Sequence, residues 1–204
     1  MSSPARPSKA EVVTDFRRAQ IVDAARQAFA RHGLAGTTMD GIARRAGVAK
    51  GTVYLYYRSK EDLLRQILDE DLAELRNDTV PIVAAPGPVD QKLVAFLAAA
   101  MTFFDRKRDF FEHAHVEMTP DLRRKALHKF EAVYKAQIDA WRDALAQADA
   151  AGEIGDIDLD ACATTIVAVA SGLAKQRLRG WTASSVDVMA RHAGTAVWKG
   201  LAAR

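Results

Sequence analysis

The sequence predicts an all-α protein of about nine helices. Ala, Leu, Arg, Glu and Lys, which favour helices, are abundant, and no segment alternates β-branched with polar residues as a strand does. Gly, Pro and capping residues divide the chain into segments of helical length with amphipathic spacing. A chain of 204 residues with 49% apolar composition is long enough for a small domain followed by a larger helical one.

The first helix is predicted from Asp15 to Arg31, with Gly33 ending it. A segment rich in Pro, Ser and charge precedes it, so residues 1–14 are expected to be a mobile arm. One face of the helix is apolar and is expected to be buried. The residues of this face are Ile21, Ala24, Ala25, Ala28 and Phe29.

Two short helices follow, joined by the turn Ala46-Gly47-Val48-Ala49. Gly47 stands where the chain leaves the first of them, and glycine tolerates the left-handed conformation that a helix exit often uses. This helix is capped by Thr37 or Thr38, and Asp40 is placed to complete a capping box from Thr37. A small core shared by the two helices is expected from Ile42, Ala43, Val48 and Val53.

The second short helix, from about Lys50 to Tyr56, has the composition of a helix that reads DNA. It starts with Lys50-Gly51-Thr52, so a cation, a residue without a side chain and a small hydroxyl allow close approach to DNA. Any small helical domain can contain a Gly-centred turn. Here the turn, basic flanks and tyrosines occur together, which predicts a helix-turn-helix that enters the major groove. The predicted DNA contacts are Thr38, Arg45, Lys50, Gly51, Thr52, Tyr54, Tyr56 and Lys60.

The distribution of charge supports this interpretation. Residues 1–65 contain 12 Lys and Arg against 6 Asp and Glu, a net charge of +6, whereas the rest of the chain carries −3. The basic excess therefore lies in the same part of the chain as the predicted helix-turn-helix, as attraction to phosphates requires.

The fourth helix is predicted to begin after Ser59, a good N-cap, with Glu61 and Asp62 at its positive end. Pro81, followed by Ala85-Pro86-Gly87-Pro88, breaks the helical pattern and indicates a loop. The first turn of this helix belongs to the DNA-reading part of the chain and its far end to the rest. It is therefore expected to couple the two.

Five further helices are predicted beyond this loop. Thr119 caps the third of them, Pro120 opens it and Gly152 closes it, while Gly180 follows the fourth. The predicted spans are 89–105, 109–117, 120–151, a helix from Asp156 or Asp158 to Arg179, and a last helix from about Ser184 to Leu201.

The last two helices carry small residues, which let helix backbones approach closely. Two such pairs, one from each of two chains, can pack as a four-helix bundle. The alternative is burial of these residues within one subunit. Because one short recognition helix reads few base pairs and two-fold proteins match palindromic operators, a homodimer through these helices is favoured. The small residues are Ala161, Thr165, Ala168, Ser171 and Gly172, then Ala190, Ala193, Gly194 and Val197.

No pattern of catalytic, metal-binding or cofactor-binding residues stands out. The sequence contains no nucleophile elbow and no Gly-rich phosphate loop. His113 and His115 are two positions apart on a predicted helix, so their side chains point about 200° apart and cannot share one metal ion. Cys162 has no CxxC partner and is expected to be a small apolar residue. We expect no catalysis, no metal and no cofactor.

The composition also predicts a soluble, cytoplasmic protein that does not enter a membrane. A single cysteine allows no intrachain disulfide and suits a reducing compartment. The first residues lack the apolar run of a signal peptide. The longest apolar stretches, Leu93–Met101 and Thr164–Ala174, are too short to span a bilayer.

One unbroken pattern extends from the first helix into the fourth. Its residues are Ile21-Val22-Asp23-Ala24-Ala25, Phe29, Gly33, Thr37-Thr38, Ile42-Ala43, Ala46-Gly47-Val48, Lys50-Gly51-Thr52-Val53-Tyr54, Tyr56-Tyr57, Lys60-Glu61 and Leu63. This pattern resembles the amino-terminal domain of the tetracycline-repressor (TetR) family. Tyr57 stands where the family usually has Phe, Tyr56 where His is common, and Ala49 where Ser is frequent. The second of these departures affects a candidate phosphate contact.

The resemblance implies a DNA-binding domain at 15–62 and a ligand-binding and dimerisation domain at 63–204. The second domain is expected to contain an effector cavity, mostly apolar with a few polar groups. Ordinary core packing is the alternative explanation for the aromatic residues there. The candidate cavity residues are Phe103, Phe111, His115, Met118, Tyr134, Trp141 and Thr165.

Together these features predict a homodimeric transcriptional regulator of double-stranded DNA. The favoured form is a repressor that an unknown small effector, largely apolar or aromatic, releases from a palindromic operator. Two alternatives remain at this point. One is an activator or a regulator without an effector, and the other is an enzyme whose helical domain binds a substrate.

Overall fold

We describe a computed structural model that covers residues 8–114 and 119–202 of the chain. Within these residues the protein is all-α, without strands, which confirms the predicted fold class. The helices are α1 (Lys9–His32), α2 (Met39–Arg45), α3 (Lys50–Tyr56), α4 (Lys60–Ala84), α5 (Val89–Arg106), α6 (Arg108–Ala114), α7 (Pro120–Ala150), α8 (Leu159–Leu178) and α9 (Val186–Leu201).

The chain forms two compact units. The first comprises Met1–Asp69 and Asp109–Arg123, and the second comprises Glu70–Arg108 and Arg124–Arg204. Helix α4 begins in the first unit and ends in the second. None of the helices in the described ranges is both long and apolar enough to cross a bilayer.

Helix α1 begins at Lys9, earlier than the predicted start at Asp15. The sequence interpretation missed a capping box: the Ser8 hydroxyl accepts from the Glu11 N–H, and the Glu11 carboxylate accepts from the Ser8 N–H. The helix therefore includes residues assigned to a mobile arm. Its predicted apolar face is confirmed, because Ile21, Ala24, Ala25, Ala28 and Phe29 are all buried.

The start of α2 agrees with one of the two predicted caps, but the predicted capping box is absent. Thr38 is the N-cap, and its hydroxyl accepts the Gly41 N–H at 3.1 Å. The hydroxyl of Thr37 instead donates to the carbonyl of Gly33 at 2.7 Å, so the capping box from Thr37 to Asp40 does not form. The turn after α2 agrees with the prediction, since Gly47 has φ +65°.

Helix α4 continues through Pro81, where the sequence predicted a break. The ring removes the N–H that would bond to the carbonyl of Asn77. Asn77 and Pro81 are both exposed, so water can satisfy that carbonyl, and α4 needs only one more turn before it ends at Ala84. The loop predicted from Ala85 to Pro88 is present.

The core of the second unit is built where α5 packs against α8 and α9. Gly194 of α9 lies against α5 so closely that a Cβ there would be 2.8 Å from Cγ2 of Val94. Ala190 is fully buried, and Ala193 and Val197 pack against the same core. Ala190 and Gly194 are therefore buried within one chain, as the alternative interpretation proposed for them, and a dimer contact through the last two helices stays a prediction.

The small residues of α8 have a different environment. Ala161, Thr165, Ala168 and Gly172 are exposed, and no atom lies within 4 Å of a Cβ placed at Gly172. Their spacing of three and four residues puts them on one face of α8. We call these four residues the α8 face.

Candidate DNA interface and effector cavity

Helix α3 is anchored in the protein by a single fully buried side chain, Val53. Lys50 and Gly51 are exposed, Thr52 is half-buried, and Tyr54 is 46% exposed. A seven-residue helix that buries so little leaves almost all its polar surface available to a partner. This is the exposure that a recognition helix needs in order to enter a groove.

Gly51 has no packing reason to lack a side chain. A Cβ at this position would have no atom within 4 Å, and Gly51 lies in α3 with an ordinary helical backbone. Glycine inside a helix lowers stability by about 0.5–1 kcal/mol relative to alanine. Contacts among the described residues therefore do not account for a glycine at the start of α3.

Lys50 forms an exposed ion pair with Asp40 of α2. Its ammonium lies 2.8 Å from one carboxylate oxygen of Asp40, and it donates to the other at 3.0 Å. The hydrogen bond to Asp40 and its negative charge raise the pKa of Lys50, so the cation stays charged. DNA phosphates would have to compete with Asp40 for this cation.

Replacing Asp40 by Asn is expected to strengthen binding to any duplex by about two- to fivefold at low salt, because the change removes a negative charge that repels phosphates and competes for Lys50. The effect is small because an exposed ion pair is weak. Fluorescence anisotropy with operator and random duplexes measures this. Glu131→Gln, an exposed change of the same charge on α7, serves as the control and should have no effect. Unchanged or weaker binding of Asp40→Asn would contradict the expectation.

Two further predicted contact residues, Arg45 and Tyr56, also lie in the first unit. Arg45 is exposed and donates to the side-chain oxygen of Gln27 at 3.2 Å. The ring of Tyr56 is half-buried under the guanidinium of Arg18, 5.8 Å from its centroid. The sequence interpretation missed Arg44, which lines a surface cleft of about 470 Å³ together with Thr38 and Arg45.

Lys60 has a structural role that the sequence did not reveal. Its ammonium donates to the carbonyl of Leu34 at 2.8 Å and to that of Thr37 at 3.4 Å, and the side chain is half-buried. Two of its three donors therefore hold the loop between α1 and α2. This arrangement does not favour the phosphate contact that the sequence predicted for Lys60.

The predicted effector residues that the structure describes lie in different environments. In the second unit, Phe103 packs edge-on against Phe104 and Trp141 against Phe96, with ring centroids 5.1 and 5.4 Å apart. Phe111 belongs to the first unit. Thr165 is exposed on α8, and Tyr134 lines a cavity. His115 and Met118 lie outside the described residues.

The cavity beside Tyr134 has a volume of only about 10 Å³. That is room for about one water molecule, so a larger ligand must push the walls apart. Beside it, Gln137 donates to the hydroxyl of Thr79 at 2.8 Å, and this hydroxyl donates to the carbonyl of Leu75 at 2.7 Å. A hydrogen-bonded chain thus joins α7 to α4. Six of the lining residues are Leu75, Ala100, Phe104, Tyr134, Gln137 and Ser171.

Comparison with known proteins identifies the family. Residues 21–67 match the family model of bacterial regulatory proteins of the tetR family. The HTH-type transcriptional regulator TtgR of Pseudomonas putida is 30% identical over 185 residues, which cover 84% of each chain. This chain belongs to the tetR family. It is a helix-turn-helix transcriptional regulator, as the pattern from Ile21 to Leu63 predicted.

Solved structures of other regulators share the fold of this tetR-family chain. NalD of Pseudomonas aeruginosa, the secondary repressor of the MexAB-OprM multidrug efflux pump, has a TM-score of 0.69 at 21% identity. The match covers 93% of this chain and 98% of that one. The transcriptional regulator FadR of Bacillus subtilis, solved with stearoyl-CoA, also has a TM-score of 0.69, at 20% identity and with coverage of 89% and 98%.

Proposed function

We propose that this regulator is a homodimeric repressor that places α3 in the major groove of a palindromic operator. The observation that carries the proposal is the surface of α3, where Lys50, Gly51 and Tyr54 are exposed and only Val53 is fully buried. Lys50 and Gly51 stand at the start of the helix, which enters the groove first in such motifs. The net charge of +6 over residues 1–65 supports a phosphate partner.

Operator binding and its salt dependence test this proposal. An operator is first selected from a pool of random duplexes. If Arg44, Arg45 and Lys50 of each subunit reach phosphates, the dimer makes about six contacts, and log affinity should fall against log salt with a slope near −5.

In the same titration, Lys50→Ala should reduce the magnitude of the slope by about two and relax sequence preference, whereas Tyr54→Phe should weaken binding without changing the slope. Lys135→Ala, which removes an exposed cation of α7, is the matched control. Circular dichroism verifies that each variant keeps its helical content. A flat salt response of the native protein would overturn the proposed DNA interface.

A second copy of the chain is the proposed partner of the α8 face. Apolar side chains near the junction of α8 and α9 are also exposed: Trp181 is 67% exposed and Val188 is 40% exposed. A monomer would leave these groups in water, and a two-fold contact would cover them in both subunits. A dimer also supplies the two recognition helices, about 34–36 Å apart, that successive turns of DNA require.

Gly172→Leu is expected to shift the protein from dimer to monomer at micromolar concentration, because a leucine on the α8 face would hold the two helices apart. Overpacking of a close contact costs about 1–3 kcal/mol. Sedimentation velocity gives the readout, and Ala146→Leu on the exposed side of α7 is the control. A monomeric native protein would refute the proposal. Gly194→Leu should destabilise each subunit instead, since Gly194 packs on Val94.

Release by a small molecule is the proposed mode of regulation. NalD is described as a repressor of an efflux pump and FadR was solved in complex with stearoyl-CoA, which supports repression and a ligand in this fold. Helix α4 passes from the first unit into the second, so a ligand that moves its second half can act on its first. To change occupancy from 99:1 to 1:99, the ligand must discriminate between the two states by about 5.5 kcal/mol.

We infer repression rather than activation, and binding rather than catalysis. A reporter placed behind the selected operator should be more active without this protein than with it; the opposite result would indicate an activator. The relatives reported above are transcriptional regulators, which supports a protein that binds its effector without transforming it.

A further inference from the structure

Trp141 of α7 contains a buried donor without an acceptor. Its side chain is fully buried, and its indole nitrogen Nε1 has no hydrogen-bond partner among the described residues. A buried donor left unpaired costs about 1–3 kcal/mol, so native proteins rarely keep one without a reason. The donor lies in the unit that is expected to bind the effector.

Trp141 stands one helical turn along α7 from a residue that lines the small cavity described above. Gln137 and Ala100 line the cavity, and Trp141 and Phe96 follow one helical turn from them on α7 and α5. Trp141 and Phe96 pack edge-on, with ring centroids 5.4 Å apart. Residues four apart lie on the same face of a helix, so Trp141 shares the face of α7 on which Gln137 lines the cavity.

Among the described residues, the polar groups that line the cavity are all neutral. They are the phenol of Tyr134, the amide of Gln137 and the hydroxyl of Ser171, and the other described lining residues are apolar. A charged ligand group placed there would lose its hydration without gaining an opposite charge, which is very costly. A neutral group that accepts hydrogen bonds would instead find donors.

We propose that the effector is a neutral, mostly apolar molecule with a carbonyl oxygen that accepts from the indole N–H of Trp141 and the side-chain amide of Gln137. This rests on the effector-controlled function proposed above. The cavity opens when the ligand separates its walls, and the unpaired indole donor gains its acceptor. The ligand thereby takes a hydrogen bond from a donor that the free protein leaves unsatisfied.

The same binding event breaks a hydrogen bond between α7 and α4. In the free protein the amide of Gln137 donates to Thr79 of α4. When that amide turns to the ligand, the hydroxyl of Thr79 loses this donor, and this hydrogen bond between the two helices is broken. Ligand recognition and the loosening of α4 are then one exchange of hydrogen bonds.

Three probes of one shape test the ligand class: benzophenone, diphenylmethane, which has a methylene in place of the carbonyl, and 4-benzoylbenzoate, which adds a carboxylate. The protein is the full chain with Trp181→Phe and Trp198→Phe, so that Trp141 is the single tryptophan. Calorimetry gives the affinities, and the one indole ¹H–¹⁵N resonance reports on the donor.

We expect benzophenone to bind about tenfold more tightly than diphenylmethane, which is the effect of one satisfied hydrogen bond. It should also bind more tightly than 4-benzoylbenzoate, whose carboxylate would lose its hydration. Benzophenone, unlike diphenylmethane, should shift the indole resonance downfield, and Gln137→Leu should reduce the preference over diphenylmethane. Equal binding of benzophenone and diphenylmethane, tighter binding of the carboxylate, an unshifted resonance, or no binding of benzophenone up to its solubility limit would each overturn the proposal. Operator binding is measured without any probe, so failure of the DNA-binding function is detected separately.

Discussion

Replacing Gly51 by Leu is expected to weaken operator binding about 100-fold while the protein remains as stable as before or becomes more stable. No atom lies within 4 Å of a Cβ at this position, so the free protein accommodates the side chain. Leucine favours a helix over glycine by up to about 1 kcal/mol. On DNA the same side chain would hold the start of α3 away from the groove, so that contacts to bases and phosphates are lost. For scale, one mismatched base pair in a binding site costs about 1–3 kcal/mol of binding free energy.

Thermal unfolding and anisotropy with the selected operator measure the two effects independently. Gly47→Leu is the matched control, because it also meets no neighbouring atom but has φ +65°. It should lower stability by about 1–2 kcal/mol, since a left-handed conformation is strained for leucine. If Gly51→Leu bound the operator normally, the start of α3 would not approach DNA closely, and the proposed recognition helix would be wrong.

Replacing Lys107 by Met is expected to lower the free energy of unfolding by about 3 kcal/mol. The ammonium of Lys107 lies 2.9 Å from Asp71, whose side chain is fully buried, and 2.7 Å from Glu74. Methionine preserves the apolar stem but leaves the carboxylate of Asp71 without this cation. Removal of one member of a buried pair is costly because the other charge stays out of water.

Urea denaturation provides the measurement, and Arg106→Met is the neighbouring control. Arg106 pairs with Glu74 and Asp78, but its side chain is 50% exposed, so its loss should cost less than about 1 kcal/mol. Equal losses for the two variants would show that burial of Asp71 does not determine the effect.

The pH dependence of stability follows from Glu74 in the same cluster. Burial opposes its ionisation, but hydrogen bonds and charges from Lys107 and Arg106 outweigh burial and hold the pKa of Glu74 below its usual value. Because the pKa of Glu74 is lower in the folded state than in the unfolded state, its ionisation contributes to the free energy of unfolding. This contribution is fully present above the usual carboxyl pKa and is lost as the pH falls through the lowered pKa of the folded state. Lys107→Met should make this pH-dependent contribution smaller.

Local features of the sequence were sufficient to predict the helices around the helix-turn-helix and the family. Gly47 takes the left-handed conformation that its position after α2 required, and α3 extends from Lys50 to Tyr56 as predicted. Such features depend on neighbouring residues, so a single sequence contains them. Errors arose where two local signals competed, as at Ser8, where a capping box overrides a polar, Pro-rich segment.

Contacts between distant parts of the chain were beyond this kind of prediction. Lys60 donates to carbonyls of Leu34 and Thr37, more than twenty residues away, so a cation that looked available for phosphate is partly used within the fold. Gly172 and Gly194 look equivalent in sequence, yet the first faces open space and the second lies against Val94. The direction in which a side chain points depends on which helices pack together, and that packing is a property of the folded chain rather than of any one segment.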